Sequence, residues 1–379
     1  MTKLDSATHK DDRWVPTVCL GCYNCCGIKV HRVDGKVVDV VGDPEAPNSR
    51  GHICAKGKAR FFDLYHPLRL RKPLRRRNPE KGIGVDPQWE EISWEAALEE
   101  VTARLKKVYD EDPRGLVIAH FDLPAYGISK AFGEAFGTPN LHWNRADYCG
   151  SAPHVANLLV NGSFNGELDL DLGEYLVLWG TQFGHLVETI PLHAAHKLAD
   201  ARARGARLVV IDPFCTNACA KADEWVPIRP GTDGALALGM LRAMVVELRA
   251  VDYPFLRQHT NAPYLIGSSG HYLRDAGDRK PLVWDTTTGT ARSFDQVDPS
   301  AMALEGSYEV NGQVVRPAFQ CLATHLEGIS IEKMSEITTV PAGTIRRLAR
   351  DFTKAARIGS PIELNGRSLP FRPASIQFK

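Results

Sequence analysis

Four cysteines near the N-terminus restrict what this chain can fold into more than any other feature of it. Cys19, Cys22 and Cys26 stand in a C-x2-C-x3-C run, and Cys54 follows in Cys54-Ala55-Lys56-Gly57. Three close thiols and one remote thiol suit a four-thiolate cage around an iron–sulfur cluster. A four-cysteine zinc site is the rival, but zinc modules usually bring two C-x2-C pairs and this sequence has one. Cys25 offers a second register, because C-x2-C-x2-C is also a cluster-binding run. Spacing therefore leaves the choice between Cys25 and Cys26 open.

Around these thiols the pattern is that of a hairpin. Ile28–Val33 and Lys36–Val41 alternate as strands, and Asp34-Gly35 between them is a two-residue turn signal. The first three thiols thus precede a hairpin and Cys54 follows it. With 379 residues there is room for two or three domains. A formal net charge of +1 excludes polyanion binding on bulk charge, and nine cysteines without a framework spacing favour reduced thiols over disulfides. Met1–Pro16 is polar with neither an apolar core nor a twin arginine, and no run reaches the ~18 apolar residues of a membrane span. The expectation is a cytoplasmic protein with no direct membrane span.

The segment after the thiols is rich in proline and carries Arg69, Arg71, Lys72, Arg75, Arg76 and Arg77. No aromatic residues interleave with this basic run, so a solvated face or docking edge is expected and no nucleic acid. Ser93 as N-cap and apolar residues at 97, 98, 101, 105 and 108 predict an amphipathic helix over 94–109. Leu116–Ala119 reads as a short strand. Tyr175–Trp179 and Arg207–Ile211 are apolar runs flanking a helix at about 189–204 that ends at Gly205. That is the signature of a βαβ unit in a buried parallel sheet. A nearly all-apolar helix is expected over 233–248 with Thr232 as cap, helix again over 330–356, a strand over 362–366, and no clear period over 367–379.

Five segments in order carry a resemblance. They are the cysteine set, Tyr65–Leu70 (YHPLRL), Trp89–Ala96 (WEEISWEA), Asp212-Pro213, and Ala222–Asp233 (ADEWVPIRPGTD). In this register the chain resembles the molybdopterin oxidoreductase (dimethyl sulfoxide reductase) family over about 14–366. The resemblance implies an α/β protein: a small β-rich iron–sulfur domain followed by doubly wound parallel-sheet domains, with the C-terminal domain absent. The divisions expected are 14–63 for the cluster, 64–142 for the first half of an interrupted α/β domain, 143–345 for a Rossmann-like dinucleotide domain and 346–379 for the start of the second half.

The implied cofactors are a [4Fe–4S] cluster and molybdenum or tungsten held by molybdopterin guanine dinucleotide, two copies per metal ion. The family register implies Cys19, Cys22, Cys26 and Cys54 as cluster ligands, Lys56 as the basic residue between cluster and pterin, and Cys149 as the ligand of the metal. Gly180, Thr181 and Asp212 stand at strand ends where open α/β sheets bind nucleotides, and Asp233 is a further candidate for a guanosine. Each has a plainer reading: Lys56 as a surface lysine, Cys149 as a small core residue, Asp233 as a first-turn acid favoured by the helix dipole. Cys215, Cys219 and Cys321 read as structural. Gly150 stands where formate dehydrogenases carry histidine, which argues against formate. Phe214 and Gln182-Phe183 replace an arginine and an Asn-Pro of the family pattern. The segments His259–Leu265 and Tyr272–Asp275 look most like the thiosulfate/polysulfide reductase and acetylene hydratase-like branch. The activity implied is two-electron reduction or oxidation of a small substrate, an inorganic sulfur or other oxyanion compound, with an electron-transfer subunit or complementing polypeptide as partner. The alternatives are an electron-transfer or structural iron–sulfur subunit without the metal, or an inactive truncated or split chain.

Overall fold

The structure is a computed structural model describing residues 11–22, 24–120, 123–143, 151–163, 166, 168–181 and 192–378. These residues form two compact units, one before Leu168 together with the first turn of the helix that opens at Leu192, the other from Leu168 onward apart from that turn.

The first unit opens with a three-stranded antiparallel sheet of β1 (Asp12–Val18), β2 (Gly27–Val33) and β3 (Lys36–Gly42). Asp34 and Gly35 both take positive φ, 47° and 77°, as the hairpin turn between β2 and β3 requires. The first strand escaped the sequence pattern because Pro16 interrupts it. A proline is tolerated there because β1 is an edge strand. Helix α1 (Ala55–Leu64) follows, then the short antiparallel pair β4 (Leu74–Arg76) and β5 (Trp89–Glu91). Next come α2 (Trp94–Glu111), β6 (Ile118–His120), α3 (Leu123–Phe136), β7 (Leu141–Trp143), parallel to β6, and α4 (Ser151–Asn161). Ser93 caps α2 as the sequence predicts, accepting a bond from the Ala96 N–H. The apolar stripe of α2 lies open, with Leu98 59% and Val101 53% exposed.

The second unit is built on a four-stranded parallel sheet. Its members are β8 (Tyr175–Trp179), β9 (Arg207–Ile211) after α5 (Leu192–Ala203), and β10 (Glu224–Val226). Helix α6 (Asp233–Arg242) and α7 (Tyr253–His259) lead into short antiparallel strands β11 (Leu265–Ile266), β12 (Leu282–Asp285), β13 (Thr290–Ser293), β14 (Tyr308–Val310) and β15 (Gln313–Pro317). Helices α8 (Ala318–Glu327), α9 (Ile331–Thr338) and α10 (Ala342–Ala355) precede the hairpin β16 (Pro361–Leu364) and β17 (Arg367–Pro370), and β18 (Ala374–Phe378) returns to the central sheet. The order is β10-β9-β8-β18. Val177, Val209 and Ile211 pack with Leu236 and Met240 of α6 and with Ile331, Ile345 and Leu348. Leu176, Leu178, Leu208 and Val210 alternate with them and are also buried. A strand covered on both faces has no polar side to show, which is why these runs read as continuous apolar.

Several expectations are corrected. The helix expected over 233–248 ends at Arg242 and passes into a π-helical turn, Ala243–Glu247. It is buried along one seam only. A Cβ on Gly239 would stand 3.1 Å from Cγ2 of Ile345, so the helix backbone lies close to α10 there while Leu241 stays exposed. The segment 330–356 is two helices, because Thr339 turns left-handed (φ 66°) and Pro341 disfavours helix at Val340. The last expected strand stops at Leu364, since Asn365-Gly366 is itself a turn with positive φ at both positions. The unpatterned tail after it contains two strands, and β18 runs parallel to β8 from Ala374 opposite Tyr175 to Phe378 opposite Trp179.

Tyr175 gives the sheet a pH dependence. Its hydroxyl is buried without a partner. Burial pushes the phenol up to about 12, with the neighbouring Arg207 guanidinium pulling the other way. An unfolded tyrosine ionises near 10. Between about pH 10 and 12 the unfolded chain therefore releases a proton that the folded one keeps, and stability falls as pH rises through that window. Tyr175→Phe is expected to flatten the fall and, at neutral pH, to match or exceed wild type, because a stranded hydroxyl costs about 1–3 kcal/mol. Urea midpoints for both proteins across that window check this.

Candidate functional site

The candidate thiols lie around the hairpin, and among the described residues no three His, Cys, Asp or Glu side chains are already drawn together as a metal-ion site. Cys19 and Cys26 are buried at the mouth of the hairpin, where Ile28, Val40, Ile53 and Phe61 pack against them, and Cys22 and Cys54 are half-buried. A backbone bond of 2.8 Å from Cys19 N–H to the Cys26 carbonyl closes the loop that holds the first three. Cys54 is the N-cap of α1, and the Gly57 N–H donates to its Sγ at 3.5 Å. Both Gly21 and Gly57 approach Cys19, since a Cβ on either would stand 3.5 Å from its Sγ.

Cys25 and Cys26 sit in different surroundings. Burial, with smaller contributions from Cys22, Cys19 and Cys54, pushes the Cys26 thiol up to about 11. Cys25 is not among the groups that act on it. Cys25 instead takes a left-handed backbone (φ 43°), and its carbonyl accepts from the Asn48 amide at 2.8 Å. Two buried and two half-buried thiols around one hairpin offer four sulfur donors. Thiolate sulfur is the donor that iron–sulfur clusters use, so the residues present fit the group.

Lys56 is exposed on the first turn of α1, two positions after Cys54, with no acid in that turn. A cation opposes the helix dipole at that end. Three of the six residues of the basic run are ion-paired within their own unit. Lys72 pairs with Glu91, Arg75 with Glu90 and Glu100, and Arg77 with Glu90. These pairs tie that half of the run to β5 and α2, while Arg69 and Arg71 remain exposed.

In the second unit the remaining candidates collect at the carboxyl ends of the strands. Gly180 (φ 64°) leaves β8 with its N–H bonded to the Ile211 carbonyl, and Thr181 follows at 1% exposure with its Oγ1 unpartnered. Asp212, at the end of β9, is buried and accepts from the Phe214 N–H at 2.9 Å. Asp233 opens α6 and accepts from the Trp179 indole N–H at 2.7 Å. A buried hydroxyl with nothing to bond, beside two carboxylates, fits the sugar and phosphate oxygens of a nucleotide. Trp179 is the residue that sequence reasoning missed, because within an apolar run it reads only as core. Cys149 lies outside the described residues. Of the remaining cysteines, Cys219 is buried and donates to the Phe214 carbonyl, while Cys215 is exposed and Cys321 half-buried.

A thiol cage on a hairpin domain, and a parallel sheet whose strand ends carry a stranded hydroxyl and two carboxylates, define an iron–sulfur protein with a nucleotide-type cofactor fold. Comparison with known proteins makes the class specific. Residues 12–66 match the Fe4S4 domain of molybdopterin oxidoreductases and residues 69–309 match the molybdopterin oxidoreductase family itself. The chain belongs to that family, whose cofactors are a molybdenum or tungsten pterin and a [4Fe–4S] cluster.

Among curated relatives, a sulfite dehydrogenase subunit from Allochromatium vinosum is 33% identical over 93% of this chain and 38% of the relative. The molybdopterin-containing subunit of thiosulfate reductase from Salmonella typhimurium is 32% identical over 65% of this chain and 31% of the relative. Acetylene hydratase from Pelobacter acetylenicus superimposes with a TM-score of 0.65, covering 96% of this chain and 40% of that one at 22% identity, which shows the shared fold. The chain thus spans well under half the length of these proteins. Among the described residues no helix is long and apolar enough to cross a membrane.

Proposed function

We propose that the chain is the cluster-holding and first nucleotide-holding part of an oxidoreductase that reduces or oxidises a small inorganic sulfur compound or another oxyanion. The placement of the thiols around the hairpin, with Gly57 bonded to the Cys54 Sγ and lying against the Cys19 Sγ, carries the reading. The chemistry supplied by the bound groups is two-electron exchange with substrate at the pterin metal and one-electron relay at the cluster.

The chain's own residues then have separate tasks. The four thiols hold the cluster. Lys56, set against the helix dipole, is offset by the negative charge of a thiolate-ligated cluster and sits on the electron path. Thr181 donates its free hydroxyl to a nucleotide oxygen, and Asp212 and Asp233 accept from ribose or base, with Gly180 giving the backbone room to turn beneath them. Cys149 is the proposed ligand of the molybdenum or tungsten ion, as a soft thiolate suits such a metal. The four divisions at 14–63, 64–142, 143–345 and 346–379 remain our working description of the domains.

The sulfur or oxyanion substrate rests on relatives named for sulfite, thiosulfate, dimethyl sulfide and perchlorate. Their names as subunits support an electron-transfer subunit or complementing polypeptide as partner. Val18 and Leu20 on either side of Cys19, and Phe62 on α1, are exposed apolar side chains of the kind a partner covers. Unpaired thiols at all eight described cysteines suit a cytoplasmic setting.

Production in a host with the pterin pathway tests the whole reading. The purified protein is expected to carry about four iron and four sulfide per chain, guanine nucleotide released by acid, and molybdenum or tungsten. Assays with thiosulfate, tetrathionate, polysulfide, sulfite, arsenate and acetylene rank the substrates. Zinc in place of iron, or protein without guanine nucleotide, would overturn it.

A further inference from the structure

We infer that Trp179 and Phe378 are positioning residues that lock the Asp233 carboxylate for the base of the bound nucleotide. This rests on the reading of Asp233 as a base-holding group. Trp179 ends β8 and is 2% exposed. An indole can only donate, and a buried one requires an acceptor. It finds Oδ1 of Asp233 at 2.7 Å, a residue 54 positions further along the chain. The Asp side chain ordinarily swings broadly about its terminal torsion. One N–H on one oxygen fixes the plane of the carboxylate.

Four lone-pair sites become three, with both sites of Oδ2 among those left. That remainder suits a ligand with two adjacent N–H donors. The Watson–Crick edge of guanine has them, in its ring N–H and exocyclic amine, whereas adenine offers one donor beside an acceptor.

Phe378 supports the indole itself. It faces Trp179 across the β8–β18 register, with ring centroids 4.7 Å apart and planes inclined by 35°. The indole is thereby gripped between its own strand and a residue from the last strand of the sheet. A carboxylate already fixed loses less rotamer freedom on binding. The two aromatic residues therefore set the preference for guanine without touching it.

The test measures GDP and ADP binding to the chain by calorimetry. Trp179→Phe keeps an aromatic ring against Phe378 and removes the N–H together with part of the buried indole. It is expected to weaken GDP binding about tenfold, a single interaction's worth, and to leave ADP binding unchanged, while the thermal midpoint falls with the buried volume lost. Asp233→Asn replaces an acceptor by a donor and should abolish the preference for GDP. Phe378→Leu, at an edge position 52% exposed, should erode the preference to a smaller degree, and it reads the same effect should Trp179→Phe not fold. Wild-type GDP binding in Trp179→Phe with the preference lost in Asp233→Asn would overturn the positioning role and leave Asp233 its own. Equal losses for GDP and ADP would reduce Trp179 to a packing residue. No change in any variant would remove Asp233 from the base site altogether.

Discussion

Cys26→Ser is expected to strip the N-terminal cage of iron, and Cys25→Ser, one residue away, to leave it filled. The contrast follows from geometry. Cys26 is buried with Cys19 against Ile28 and Val40, while Cys25 takes a left-handed backbone whose carbonyl is tied to Asn48. A cluster with one thiolate missing has an open iron and is prone to fall apart. Cys19→Ser, Cys22→Ser and Cys54→Ser should behave like Cys26→Ser. In each of the four, iron should drop from about four per chain to below one, and the brown colour should disappear. In Cys25→Ser both should stay near wild type. Iron analysis and visible absorption of anaerobically purified variants decide the matter. A bleached Cys25→Ser beside a brown Cys26→Ser would move the ligand to the neighbouring position.

Much of this was legible in the sequence wherever a local rule governs a local structure. Asp34-Gly35 specified its hairpin turn, Ser93 its helix cap, and Gly205 with a φ of 98° the end of α5. The apolar runs at Tyr175–Trp179 and Arg207–Ile211 became adjacent parallel strands in register from Tyr175 opposite Arg207 to Trp179 opposite Ile211. What stayed hidden depends on partners distant in sequence. Ala374–Phe378 has no strand period of its own and is a strand because β8 offers it an edge. Cys25 differs from its neighbour in a left-handed backbone (φ 43°) that spacing cannot express. Trp179 looked like core until the structure put Asp233 at its N–H. The stripe on α2 was readable as an amphipathic face, but periodicity says only that a face exists and nothing of what covers it.

The same distinction between local rule and distant partner governs the last expected result, that Gly42→Ala costs the protein its cluster with all four thiols intact. Gly42 ends β3 opposite Ile28. A Cβ there would lie 2.1 Å from the carbonyl oxygen of Gly51 and 2.4 Å from its carbonyl carbon. Those are backbone atoms, held by a bond of 2.9 Å from the Gly51 N–H to the Asp43 carbonyl, and no side-chain tip can swing aside to relieve the clash. Overpacking costs about 1–3 kcal/mol even where neighbours can yield, so the loss here should lie at or above that range. The loop from Asp43 to Ile53 is what brings Cys54 back to the other three thiols, and pushing it off β3 carries the fourth ligand away. Gly35→Ala is the matched control. Gly35 also has positive φ, 77°, but nothing lies within 4 Å of a Cβ built on it. It should show only the left-handed strain of about 1–2 kcal/mol and keep its iron. Iron content and thermal unfolding of the two variants separate strain from displacement. A Gly42→Ala protein with wild-type iron would mean that the closeness of this loop to the hairpin is not what delivers Cys54.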